Sequence, residues 1–405
     1  MKPLAGLLVL DLSRILAGPW CTQLLADLGA RVIKVEKPGE GDDTRRWGPP
    51  FLTDVAGRST AEAAYYLACN RGKESLALDL ARPEGQAIAR ELAARADVLV
   101  ENFRPGALAR YRLDAASLRA LNPRLVYCSI TGFGHSGPYA SRPGYDAAIQ
   151  ALGGLMSITG ERDGLPGAGP QKVGVAVADL MAGMYAATAI LAALRARDRE
   201  GRGCHLDVSL LDCQVAWLAN QAANYLVGGV VPRREGTAHP NIVPYQAFAC
   251  ADGHLMLAVG NDAQFARFAA VAGHPEWATD PRFATNPARV AHREPLVAAI
   301  AEVLRARPRA AWLAELERAE VPAAPIQDLA EVFADPQVRA RAMTLELEHP
   351  LGPLRLVRQP VLFDGEAPTS ARPPPRLGEH TAAVLGELGL APEAIAALRA
   401  AGIVG

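Results

Sequence analysis

One carboxylate stands alone in this sequence. Between Asp163 and Asp198 the only acidic side chain is Asp179, set inside the run VGVAVADLMAGMYAATAILAAL. An ionised carboxylate in apolar surroundings is costly unless it is paired, hydrogen-bonded or engaged in chemistry. Asp is also a preferred helix N-cap, and a long helix begins close by, so a capping role stays open. The two roles are compatible, because backbone N–H groups at a helix start can orient a nucleophilic carboxylate and help bind an anionic intermediate. Cations form the second group. Lys34 and Lys37 follow one strand-like run, and Arg104 and Arg110 follow another. In open α/β sheets the C-terminal strand ends make the ligand crevice, so these cations either meet phosphate groups or are solvated surface charge.

The elements that must position these groups follow from apolar spacing. LLVLDL, ARVIKVE, SLALDL, ADVLVENF and RLVYCSIT alternate with helical patterns through the first 130 residues, as parallel strands joined by helices do. The runs are apolar throughout, which fits strands covered on both faces and a doubly wound, Rossmann-like α/β domain. Helices are expected over 146–155 and about 179–197. From about residue 225 the pattern shifts to shorter strands such as HLMLAVG and to helices with apolar spacing near 3.6, such as HREPLVAAIAEVLRAR. The expected organisation is a large domain over 1–224, a smaller α+β domain over 225–325, and a return segment over 326–405 that completes the first. In that segment HPLGPLRLVRQPVLF suggests extended structure, ARPPPRL a stiff linker and GEHTAAVLGELG a closing helix.

Composition removes several function classes. The 405 residues carry a formal net charge of -1 with no charged block, so nothing marks a nucleic-acid or anionic-membrane partner. Six cysteines are scattered without CxxC or zinc-ligand spacing; no metal site is expected, and the thiols read as reduced. The N-terminus runs straight into a strand-like stretch rather than a signal-peptide pattern, which points to a cytoplasmic protein. Residues 173–194 are long enough to span a membrane, but Asp179, Gly174, Gly183 and Tyr185 interrupt them, and a buried core helix is the better reading. A nicotinamide-dependent enzyme would carry GxGxxG after its first strand; here SRILAGPWCTQ follows, so hydride transfer loses its main support.

Five ordered segments together resemble the class III CoA-transferase family, which includes formyl-CoA:oxalate, carnitine and succinyl-CoA:dicarboxylate transferases. They are VLDLSRILAGPWCTQLLADLGARVIKVEKPGEGDDTR, NRGKESLALDL, ADVLVENFRPGALARYRL, PGYDAAIQALGGLM and the run around Asp179. The resemblance implies an interlocked, ring-like homodimer, coenzyme A as co-substrate with no permanently bound cofactor, and small carboxylic acids as the other partner. It implies Asp179 as the nucleophile and CoA contacts at Lys37, Leu78, Asn102, Phe103 and Arg110, with Leu16 near the pocket.

Details narrow the substrate. The second-lobe stretch AVGNDAQF has Gly260 but no glycine run, unlike the oxalate enzymes, while GDDTRRWGPPF, GTAHPNIVPYQAF and ARPPPRLGEHT look closer to the succinyl-CoA:glutarate type. The expected reaction moves CoA from succinyl-CoA to a dicarboxylate of four to six carbons. Arg46, His239 and Tyr245 are candidates for its distal carboxylate. The same fold houses α-methylacyl-CoA racemases, which carry His before Asp where this chain has Tyr145 and Asp146; a tyrosine is too weak a base at neutral pH for that role without a large shift. His135, in GFGHSG, is the nearby alternative base. A non-catalytic CoA-binding protein is the alternative from another class, and the intact Asp179 motif argues against it.

Overall fold

The computed structural model describes residues 1–405. Its strands, in chain order, begin with β1 (Leu8–Asp11), β2 (Arg31–Glu36), the antiparallel hairpin β3 (Phe51–Thr53) and β4 (Ser59–Ala63), β5 (Lys73–Ala77), β6 (Val98–Glu101), β7 (Val126–Thr131) and β8 (His205–Ser209). Six of these form one parallel sheet in the order β5-β2-β1-β6-β7-β8. The chain winds outward from β1 in one direction and from β6 in the other, so the switch point of the sheet lies at the adjacent C-terminal ends of β1 and β6.

The uniformly apolar strands are explained by cover on both faces. On one face Val9, Val32, Val100 and Val126 pack against helices Ala17–Asp27 and Val177–Glu200. On the other, Leu10, Ile33 and Leu99 meet helices Pro83–Arg95 and Ala115–Leu121 together with the C-terminal helices Thr381–Glu387 and Pro392–Ala400. Helix Val177–Glu200 is apolar and long enough to cross a membrane by length and composition. Here its Ala182, Ala186 and Ile190 are core residues. Gly183 lets it approach closely, since a Cβ there would stand 2.6 Å from the Ala17 carbonyl oxygen.

Two strands differ from expectation for physical reasons. The third sheet strand runs Lys73–Ala77 rather than along SLALDL, because Lys73 and Ser75 are buried by partnering Asp11 and Glu36. The edge strand β8 carries His205 and Asp207 on its less covered side and shows no continuous apolar run.

The chain divides into two compact units. The first comprises Met1–Leu155, Val173–Ala223 and Arg339–Gly405; the second comprises Met156–Lys172 and Asn224–Val338. These bounds differ from the expected 1–224, 225–325 and 326–405 in two places. Residues 156–172 belong to the second unit, where the Arg234 guanidinium donates to the Glu161 carbonyl at 3.2 Å and Arg162 pairs with Glu235. The return begins at 339, since the segment beyond 325 continues the second unit through helix Leu329–Ala334. That unit holds an antiparallel sheet of β9 (Tyr245–Cys250), β10 (Gly253–Ala258) and β11 (Ala323–Pro325), covered by a core that includes Phe265, Leu296 and Trp312. The return segment opens with hairpin β12 (Thr344–His349) and β13 (Gly352–Val357).

A crossing of two loops in the first unit sets up the site. A Cβ on Gly132, just past β7, would lie 2.6 Å from the Gly144 Cα, and one on Gly144 would lie 2.4 Å from the Gly132 Cα. Only two glycines allow that approach. We expect Gly132→Ala to lower stability by about 1–3 kcal/mol, as overpacking against backbone does, whereas Gly386→Ala, with open space around its Cβ inside helix Thr381–Glu387, raises it slightly. Urea unfolding of the two variants measures both.

Candidate active site

Past the end of β1 the chain must turn, and buried charges decide how. Asp11 accepts from the Ser13 N–H (2.9 Å), the Ser13 and Thr22 hydroxyls (2.5 and 2.6 Å) and the Lys73 ammonium (3.0 Å). Burial opposes its ionisation, but Lys73 and Lys34 outweigh that and hold it at about 2. Lys34 donates to the Ser13 carbonyl at 2.8 Å and pairs with Asp42 at 2.9 Å, both side chains fully buried. Asp42 in turn accepts from the Ile15 N–H at 3.2 Å. Asn102, after β6, closes the frame: its side chain accepts from the Arg14 N–H (2.9 Å) and donates to the Arg14 carbonyl (2.7 Å). Ile15 is thereby held at φ 74°, a conformation that costs a β-branched residue of order 1–3 kcal/mol.

This loop forms a shared wall of two pockets in the first unit. The first is lined by Arg14, Lys37, Arg46, Leu78, Phe103 and Arg110, among others. The second is lined by Leu16, Asn102, Phe103, Arg142, Tyr145 and Asp179, with Arg14 common to both. Leu16, Lys37, Leu78, Asn102, Phe103 and Arg110 are thus all brought to one pocket or both. Arg46 lines the first pocket and not the one holding Asp179. Lys34 lines the first pocket but is not a surface charge: its side chain is fully buried, held by Asp42 and the Ser13 carbonyl. Arg14 and Arg142 were not singled out by sequence, since no apolar strand run leads into Arg142 and nothing in the local spacing marks Arg14.

Asp179 does not cap its helix. The cap position is Ala176, which supplies no side-chain bond, and Asp179 sits in the first turn. The free N–H of Ala178 donates instead to Asp146, at 2.8 Å. The other Asp146 oxygen accepts from Gln150 at 2.7 Å, and Gln150 accepts from the Val173 N–H at 2.9 Å. Asp146 is the first residue of helix Asp146–Leu152, placed there by the Gly132–Gly144 crossing. Burial, and then the negative charge of Asp146, push Asp179 up to about 7. Tyr65 feels the same pair: burial and then Asp179 raise its phenol to about 12. Asp179 is therefore a carboxylate of raised basicity at a helix N-terminus, open to a pocket with cationic walls, which is what a nucleophile or a general base requires.

The remaining candidates separate. Tyr145 is 60% exposed in the Asp179 pocket. His135 is not among that pocket's lining residues; its ring lies 5.2 Å from that of His205, and its N–H donates to Asp207 at 2.9 Å. The second unit accounts for the others within itself. His239 and Tyr245 have ring centroids 5.4 Å apart, the His239 carbonyl accepts from Arg293 at 2.9 Å, and the Gly260 N–H donates to Gln264 at 2.7 Å.

The family described as CoA-transferase family III matches residues 4–381. The chain is 52% identical over 388 residues to the protein named succinate--glutarate CoA-transferase of Agrobacterium fabrum, covering 95% of this chain and 96% of that one. It is 43% identical over 406 residues to human succinyl-CoA:glutarate CoA-transferase, covering 100% of this chain and 90% of that one. Among solved structures, that of a CAIB/BAIF family protein from Brucella suis superposes with a TM-score of 0.84 at 51% identity, covering 96% of this chain and 99% of that chain.

The raised basicity of Asp179 has a consequence for stability. Its folded-state value of about 7 lies above the ordinary 3.8, so the folded protein holds this proton more tightly than the unfolded chain and loses stability as pH rises from about 4 to about 7. Asp179→Asn removes that loss. In thermal melts the variant should match the wild type near pH 4 and exceed it increasingly up to pH 7, with no further gain above; equal differences at all pH values contradict the burial argument.

Proposed function

The chain belongs to CoA-transferase family III, and from that premise we propose that it moves coenzyme A from succinyl-CoA to a dicarboxylate of four to six carbons such as glutarate, with Asp179 as the covalent carrier. The observation that carries the assignment of Asp179 is its basic, half-buried carboxylate facing the pocket beside Arg14 and Arg142.

The reaction proceeds in balanced steps. An Asp179 oxygen attacks the thioester carbonyl, the C–S bond breaks, and CoA thiolate leaves a mixed anhydride. The thiolate attacks the Asp179 carbonyl carbon, the anhydride C–O bond breaks, and the donor acid departs as its carboxylate. An acceptor carboxylate then attacks the aspartyl-CoA thioester, the C–S bond breaks to give a second mixed anhydride, and the expelled thiolate attacks that anhydride at the acceptor's carbonyl, breaking the C–O bond to Asp179 and restoring its carboxylate. Two covalent stages replace one difficult exchange. Each acylation of Asp179 also removes a charge that burial disfavours.

In this reading Lys37, Arg46 and Arg110, with Arg14, hold the phosphates in the first pocket, while Leu78 and Phe103 pack against the nucleotide and its arm. Leu16, buried beside Asp179, gives the reacting end an apolar wall. His239, Tyr245 and Gly260 remain candidates for the acceptor side. The working form is an interlocked homodimer: Leu226, Val227, Val230 and Val231 are between 67% and 89% exposed, a surface that a second copy would cover. All six cysteines are free, in keeping with a cytoplasmic enzyme.

Incubation of the purified protein with succinyl-CoA and glutarate, malate, citramalate, itaconate, oxalate or carnitine, followed by mass spectrometry of the CoA pool, tests the proposal. Glutaryl-CoA or another dicarboxyl-CoA is expected to form, and Asp179→Ala to slow its formation by about a thousandfold or more while CoA still binds. Full turnover by that variant, or no new thioester with any acid, overturns the assignment.

A further inference from the structure

Behind the loop of residues 102–108 lies a third pocket, on the side away from Asp179. Arg104 and Pro105 line both the Asp179 pocket and this one, whose back wall includes Glu101, Ser129 and His205. Strand register builds that wall. Glu101 pairs across with Ser129, and Ser129 with Asp207, on the neighbouring parallel strands β6, β7 and β8, so their side chains project from one face. Glu101 is 4% exposed and Ser129 1%. The Phe103 N–H donates to Glu101 at 2.8 Å, Ser129 is bonded to the same carboxyl group, and the Ser129 hydroxyl lies 2.9 Å from His205 Nε2.

Building on the transferase reading, we propose that Glu101 is a positioning residue for CoA: its carboxyl group, clamped on the Phe103 N–H and backed by Ser129 and His205, fixes the loop that carries Asn102 and Phe103 into the two pockets. Nothing in the transfer chemistry requires an acidic residue there. The carboxyl group accepts from both the Phe103 N–H and the Ser129 hydroxyl, and His205 Nε2 lies within hydrogen-bond distance of that hydroxyl.

Protonation of this group bears directly on the ligand. Burial, with a smaller contribution from Asp207, pushes Glu101 up to about 7 against the bonds from Ser129 and Phe103. The other groups facing it are Tyr127 on its neighbour strand, His205 on the edge strand, His135 past β7, Asp114 at the start of helix Ala115–Leu121, and Arg104 on the loop. Arg119 adds a positive charge beside His205. Burial, and then His135 and Arg119 against the opposing pull of Asp207, lower His205. Ionisation of Glu101 above pH 7 would therefore place a net negative charge behind a loop whose front faces an anionic nucleotide, weakening CoA binding as pH rises.

Calorimetric titration of the full-length protein with CoA decides this, in an Asp179→Asn background that removes the other carboxylate titrating near 7. CoA affinity is expected to fall about tenfold between pH 6 and pH 8, over and above any change shown when Glu101→Gln is added; the amide keeps the bonds but cannot ionise. Glu101→Ala should bind CoA about tenfold more weakly than Glu101→Gln at both pH values. If the Gln variant keeps the parent's full pH dependence, or the folded Ala variant binds as tightly as Gln, the positioning role is wrong; should Ala fail to fold, the Gln comparison still decides. Separately, wild-type protein that transfers CoA to no acid, while the Asp179→Asn protein binds it with this pH dependence, sinks the transferase reading and leaves the clamp standing.

Discussion

The pairing of Lys34 and Lys73 with Asp11 and Asp42, out of reach of water, is the constraint on which the site is built. Removing one partner of a buried pair strands its counter-charge at a cost of about 3–5 kcal/mol, so the four groups are fixed together. What they fix is the path of four residues. The Ser13 carbonyl and the N–H groups of Ser13 and Ile15 are all tied to these charges, and Ile15 is forced into a conformation that it would not choose. Arg14 then points along both pockets and Leu16 closes the second. The same hydrogen-bonded frame reaches the other side of the switch point through Asn102, so the two halves of the sheet present one continuous wall.

Asp179 is handled in the opposite way. Asp11 is surrounded by cations and lies near 2, whereas Asp179 forms no ion pair, faces Asp146, and lies near 7. Two carboxylates in one domain are driven apart by environment, one into a structural anion and one into a basic, reactive group. Asp146 contributes twice, by satisfying the Ala178 N–H and by repelling charge on its neighbour. Its position depends on the Gly132–Gly144 crossing, which links the end of β7 to the start of the helix that carries it.

Much of this was legible in the sequence and some was not. Five of the six sheet strands show as apolar runs because parallel strands are covered on both faces, and Asp179 shows because nothing else in its neighbourhood is charged. The edge strand His205–Ser209 lacks that signature, since one end of it is only partly covered. Lys34 misleads for a related reason: a lysine at a strand end reads as a surface or ligand-facing charge, and only the fold reveals Asp42, which is buried with it. Asp146 was visible as the neighbour of Tyr145, but its bond to Ala178 spans 32 positions and has no local spacing. Residues 156–172 look like a loop of the first unit, and only contacts such as Arg234 with Glu161 assign them to the second.

The most direct test of the central claim is to find the covalent carrier itself. The protein is incubated with succinyl-CoA without acceptor, trapped with hydroxylamine or borohydride, digested and mapped by mass spectrometry. The account predicts the trapped product on the peptide bearing Asp179, at that side chain and no other. Modification at a different residue, or an Asp179 peptide that stays unmodified in protein that turns over once acceptor is added, would contradict it.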